Sequence, residues 1–149
     1  RGAAHMRMTK HTDYAIRLLL LLALRSPELV TIQEVAAKYG ISKNHLMKVA
    51  HKLVQENYVK SVRGRNGGLL LGRAPELIRI GELVRTTEAN SVLVECFREK
   101  TNTCIITPAC GFRTVLQEAM AAYMNVLDGY TLKDLMDKRS SLADFLDIK

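Results

Sequence analysis

Cysteine is scarce in this chain and odd in number: three residues in 149. A disulfide framework needs pairs and an oxidising compartment, so the odd count argues against a structural disulfide scaffold. Long apolar runs are missing as well. The longest aliphatic stretch, Leu18 to Leu24, is far short of the roughly 18 residues that a membrane-spanning helix needs, and no segment resembles a signal peptide. A cytoplasmic protein without a membrane partner is expected. The chain also lacks a catalytic carboxylate pair and a Ser/His/Asp set. Its one Gly-rich basic stretch, RGRNGG, has neither the GxxxxGK[ST] of a P-loop nor the GxGxxG of a dinucleotide site, and it opens into a strand pattern where a phosphate loop needs a helix N-terminus. Neither an enzyme nor an electron carrier with a redox partner face is expected.

What is present suffices for a core: 48% of residues are hydrophobic, and the length fits one domain with an appended element. The leading RGAAH reads as a tag remnant over residues 1–5, with Met6 as the natural start. The net charge of +7 is unevenly spread. Residues 1–75 hold 13 Lys and Arg against 4 Asp and Glu, whereas residues 76–149 hold 9 against 11. The amino-terminal half is the one suited to a polyanion, although a merely soluble basic surface would read the same from charge alone.

Local patterns give that half a shape. Thr9 to Leu24 reads as a buried helix ended near Ser26-Pro27. Thr31 and Glu34 have capping-box spacing for a second helix through Val35, Ala36 and Tyr39, closed by Gly40. With Ser42 as N-cap, a third helix puts Leu46, Val49, Ala50, Leu53 and Val54 on one stripe, and Asn44, Lys48, His51, Lys52 and Gln55 on the other. Two helices around a short turn form a helix-turn-helix. The following YVKSVRGRNGGLLLGR, strand, Gly-rich turn and strand, supplies a wing with Arg63, Arg65 and Arg73 around Asn66, Gly67 and Gly68. The fold class expected is mainly α with a small β-hairpin, a winged helix-turn-helix over residues 6–88. Ser42, Lys43, Asn44, His45 and Lys48 on the third helix, with Arg63, Arg65, Asn66 and Gly67 on the wing, are the candidate contacts to double-stranded DNA.

Ile80 to Thr87 reads as a short helix. From Phe112 to Gly129 apolar residues recur at helical spacing (Phe112, Val115, Leu116, Ala119, Tyr123, Val126) over about 25 Å. A face this long, outside a domain already closed by the wing, calls for a twin. A twofold homodimer would match a palindromic site, and the competing reading folds the helix back on its own head. Residues 112–149 are thus a dimerisation helix and tail, in which Thr131 and Asp134 cap another short helix and SSLADFLDIK carries no clear pattern.

Between these parts, residues 89–111 hold Cys96, Cys104 and Cys110, separated by seven and five residues. Buried thiols, a redox switch and metal binding are all open. Zinc sites pair thiols as C-x₂₋₄-C, and no such pair exists here. Iron-sulfur clusters accept longer spacers wrapped around an inorganic core, and a four-iron cluster with three thiolates leaves one iron dependent on another ligand and open to a small diatomic or oxygen.

The segments MRMTKHTDYAIRLL, YGISKNHLMKV, VRGRNGGLLLG, IRIGELVRTTE, and VECF with NTCIITPAC closely resemble the Rrf-type winged-helix regulators, and among them those that sense nitric oxide. The resemblance spans nearly all of Met6 to Asp137. It implies a homodimeric repressor whose operator affinity is set by an iron-sulfur cluster and released when nitric oxide reacts there. Cys96, Cys104 and Cys110 match the family's cluster cysteines, and Asp13 matches an acidic residue that some members donate from the opposite subunit as the fourth ligand. Two departures matter. The family's cluster-assembly regulator has a His three residues after the last cysteine, where this chain has Arg113, and the seven-residue spacer is longer than in several relatives. A [4Fe-4S] cluster is expected over [2Fe-2S]. An iron-responsive regulator of the same family, or a thiol regulator without cluster, are the alternative readings.

Overall fold

A computed structural model describes residues 7–149; the expected tag remnant at 1–5 and Met6 lie outside them. Helix α1 (Lys10–Arg25) starts where Thr9 Oγ1 accepts the Thr12 N–H at 3.4 Å, and its aliphatic run is buried on nearly every side, with Leu18, Leu19 and Leu21 fully inaccessible. Such all-round burial makes it the central rod of the domain. Helix α2 (Ile32–Tyr39) carries the expected capping box. Thr31 Oγ1 accepts the Glu34 N–H at 3.2 Å, and Glu34 Oε2 accepts the Thr31 N–H at 2.8 Å. Gly40 ends α2 at φ 64°, a conformation that costs a side chain about 1 kcal/mol.

Helix α3 (Lys43–Gln55) follows, N-capped by Ser42, whose Oγ accepts the His45 N–H at 3.4 Å. Its inner stripe, Leu46, Val49 and Leu53, is fully buried on α1 and α2. The wing is an antiparallel pair, β1 (Val59–Val62) and β2 (Gly68–Leu71), with Val59 opposite Leu71 and Val62 opposite Gly68. Gly64 (φ 114°) lets the tip turn, and any Cβ at Gly67 would run into the Val62 carbonyl. Val30 exchanges both backbone hydrogen bonds with Leu69 at 3.1 and 2.7 Å, so the hairpin is stitched to the segment before α2. Helix α4 (Ile80–Thr87) closes the head with Ile80, Leu83 and Val84 inside.

A loop with two short 3₁₀ turns, Glu95–Phe97 and Thr107–Ala109, leads to helix α5 (Gly111–Asp128). None of its 18 residues is buried, and Phe112, Val115 and Val126 are 66, 59 and 61% exposed. It packs on α4 within the chain. The helical turn expected after Thr131 is a single 3₁₀ turn, Asp134–Met136, with Thr131 and Asp134 exchanging side-chain and backbone bonds. The patternless tail forms helix α6 (Arg139–Phe145) and returns to the head. Leu132 is fully buried, Arg139 Nη2 donates to Leu24 O at 3.0 Å, and Lys38 Nζ donates to Leu146 O at 2.5 Å. Among the described residues, six helices and one hairpin make the architecture mainly α, as expected. No helix of the described residues is long and apolar enough to cross a membrane.

Candidate DNA-reading face and thiol loop

Amphipathic burial of α3 decides which side chains it can offer. With Leu46, Val49 and Leu53 spent on the core, Lys43, Asn44 and Lys48 stand exposed on the opposite side. Ser42, also exposed, is engaged by its capping bond. His45 is half-buried because its ring meets the Tyr14 ring edge-on, centroids 4.8 Å apart. Lys52 is tied to Glu56 at 2.8 Å. At the wing, Arg63, Arg65 and Asn66 are exposed and Gly67 is half-buried beneath them. Lys43, Lys48, Arg63 and Arg65 enter none of the ion pairs found among the described residues, so their charge is available to an external anion.

The third wing arginine behaves differently. Arg73 turns back under the hairpin, its guanidinium carbon 4.1 Å from the Tyr58 ring centroid, and donates to Glu56 O at 2.7 Å and Asn57 O at 3.2 Å. It satisfies carbonyls at the end of α3 and does not stand at the tip with Arg63 and Arg65.

Asp13 lies on α1 and is half-exposed. Both its oxygens accept from Arg17, at 3.1 and 2.9 Å. The Arg17 guanidinium lies between Tyr14 and Tyr39, 5.6 and 5.9 Å from their centroids. Tyr39 donates its hydroxyl to Arg17 O at 2.9 Å, and burial pushes its pKa up to about 12 against the opposing Arg17 charge, so it stays a neutral donor. Through Tyr14, this group abuts His45 on α3.

The three cysteines are free thiols; Cys96 and Cys110 are half-buried and Cys104 is exposed. Their loop is knitted by side chains. Glu95 Oε1 accepts from both the N–H and the hydroxyl of Thr103 at 2.7 Å, which ties the neighbours of Cys96 and Cys104 together. Those bonds hold Glu95 below the usual carboxylate range. Asn102 Oδ1 accepts the Cys104 N–H at 3.0 Å, while its amide donates to Thr107 at 2.9 Å. Cys110 Sγ caps α5 by accepting the Arg113 N–H at 3.4 Å. Among the described residues no group of three or more His, Cys, Asp or Glu is arranged to hold a metal ion. Iron-sulfur clusters are held by cysteine thiolates, and the three free thiols of this loop are donors of that chemical type.

The Rrf2 family of iron-dependent transcriptional regulators matches residues 8–138. The chain belongs to the Rrf2 family. It is 50% identical over 142 residues to the HTH-type transcriptional regulator NsrR of Bacillus licheniformis, covering 95% of this chain and 99% of that one. Against NsrR of Bacillus subtilis it is 49% identical over 145 residues, covering 97% and 99%. Among solved structures, IscR of T. potens superposes with a TM-score of 0.74 at 24% identity over 93% of this chain and 91% of that one, a likeness of fold.

As an Rrf2 member the chain is a transcriptional regulator and not an enzyme. Within that assignment, sequence reasoning missed the supporting side chains. Arg73 was grouped with the wing tip. The Glu95–Thr103 and Asn102–Thr107 bonds and the Asp13–Arg17 pair were unseen. Only the last had a local signal, an acidic and a basic residue four apart on one helix.

Proposed function

We propose that this Rrf2 regulator is a homodimeric repressor that binds a palindromic operator and responds to nitric oxide through an iron-sulfur cluster. The observation that carries the reading is the joint presence, in one chain, of an unpaired cationic face on α3 and the wing and of three free thiols on the loop before α5. Relatives about half identical over nearly full length bear the name NsrR, which supports it.

Each part has a role. Lys43, Asn44, His45 and Lys48 enter the major groove, and Arg63 and Arg65, shaped by Asn66 and Gly67, meet flanking phosphates or the minor groove. Ser42 keeps the leading turn of α3 in place. Helix α5, with no buried residue of its own, covers its apolar face with a second copy. Cys96, Cys104 and Cys110 would hold the cluster, and Asp13 of the second subunit, which pairs with Arg17 within its own chain, would be the fourth ligand. When bound, a [4Fe-4S] cluster with three thiolates would supply one iron whose fourth, non-thiolate ligand can give way to a small diatomic such as nitric oxide. The family's description as iron-dependent favours a second reading, in which the same thiols report iron supply.

Anaerobic purification with iron and sulfide analysis, followed by DNA binding before and after nitric oxide, tests the proposal. Cluster absorbance and operator affinity are expected to fall together on adding nitric oxide. Cys104→Ala is expected to lack the absorbance and to bind at least tenfold more weakly, about 1.4 kcal/mol. A Cys104→Ala chain that binds its operator as tightly as the wild type would end the sensing mechanism while leaving DNA binding intact.

A further inference from the structure

Helices α4 and α5 approach most closely where Gly81 meets Asp128. Gly81 on α4 is buried, and a Cβ placed there would collide with the Asp128 carboxylate and come within 3.0 Å of the Asp128 amide nitrogen. The two helices therefore meet with backbone against the last residue of α5. One turn further along α4, Arg85 grips the same carboxylate through both oxygens, at 2.6 and 2.8 Å. The chain beyond α5 is then fastened to the head at once. Ile80 N donates to Tyr130 O at 3.0 Å, Leu132 N donates to Ile78 O at 2.9 Å, and the Leu132 side chain is fully buried. At its other end α5 begins with Phe112 and Val115 largely exposed. It is a lever held at its C-terminal end and free along its apolar side.

We infer that the Gly81–Arg85–Asp128 joint determines the separation of operator half-sites that the dimer accepts. The inference rests on the proposed reading that α5 pairs two heads on a palindrome. A lever of 18 residues is about 27 Å long, so a 10° tilt at the joint displaces its far end by about 5 Å. One base-pair step along B-DNA is about 3.4 Å, so that tilt exceeds one step. Dimeric helix-turn-helix proteins read half-site spacing through this kind of rigid geometry. Arg85 and Asp128 are 52 and 40% exposed, so the pair contributes little to folding and its removal is expected to leave a folded chain.

The test uses a palindromic duplex selected by the wild-type protein from a random pool, then remade with its half-sites moved apart or together in single base-pair steps. The wild type is expected to show a sharp optimum. Asp128→Asn and Arg85→Ala, folded and dimeric by circular dichroism and sedimentation, are expected to lose about tenfold at the selected spacing while binding altered spacings as well as or better than the wild type does. Gly81→Ala is expected to shift the optimum by at least one base pair. Folded variants that keep the wild-type spacing profile would overturn the inference. A wild type that selects no palindrome would instead bring down the functional reading beneath it.

Discussion

Replacing Arg73 by Ala separates a structural arginine from the two proposed to contact DNA, Arg63 and Arg65. The guanidinium lies 4.1 Å from the Tyr58 centroid, a half-exposed cation–π contact worth about 1 kcal/mol. It also donates to two carbonyls at the end of α3, Glu56 O at 2.7 Å and Asn57 O at 3.2 Å. A charged donor to a carbonyl is worth about 1.5 kcal/mol or more when enclosed, but here water can replace part of it. The sum is about 2 kcal/mol, which for a domain of this size lowers Tm by about 4–8 °C. Thermal unfolding by circular dichroism reads that directly. Arg73→Lys keeps the charge but loses the planar fork, so it should recover less than half of the loss. In the same set, Arg63→Ala and Arg65→Ala should leave Tm within about 1 °C and lower the salt slope of DNA binding by about 0.9 for each phosphate contact removed. An Arg73→Ala chain with unchanged Tm and a reduced salt slope would refute this reasoning and move Arg73 onto the DNA.

Lys48→Ala is expected to weaken specific binding by about 1–3 kcal/mol with little effect on non-specific affinity, measured by competition between selected and random duplexes. Ala119→Glu on the exposed side of α5 should yield a monomer or aggregate by sedimentation, and palindrome affinity should collapse to that of a half-site. Glu88 gives a pH prediction. Burial raises its pKa, but hydrogen bonds from Thr12 and Thr9 outweigh that and hold it below the ordinary value of 4.5. A carboxyl depressed in the folded state contributes stability that is present above 4.5 and lost as pH falls through the folded value. Urea midpoints for Glu88→Gln should therefore fall less steeply than the wild type's as pH drops below about 4.5.

The helices of the head were legible because their signals are local. Thr9, the Thr31–Glu34 box, Gly40 and Ser42 lie within four residues of the groups they cap, and the α3 stripe follows one period. The wing was legible from its turn glycines, yet its seam to Val30 was not, since a single isolated bridge leaves no alternation to read. Arg73 misled because an arginine near a Gly-rich turn carries the same signal whether it faces DNA or folds back on a carbonyl. The tail was opaque for a related reason. Helix α6 is held by Lys38 and by the Leu24 carbonyl, partners 108 and 115 residues away, and its own seven residues show no clear periodicity. Of the candidate site, the types of residue could be read. The bonds that hold the cysteine loop together depend on which passes of a coil-like segment lie side by side, and composition does not encode that.

The grip of Lys38 on the Leu146 and Asp147 carbonyls bears on how the protein can be handled. The chain leaves the head after α4 and comes back to α2, so the thiol loop and α5 form an excursion anchored at both ends, and Leu146 and Asp147 lie beside the helix that precedes α3. A fluorescent protein or affinity label joined after Lys149 would crowd α2 and report on the head. A label carried by the solvent-exposed stretch near Lys100, within the excursion, would move with the thiols.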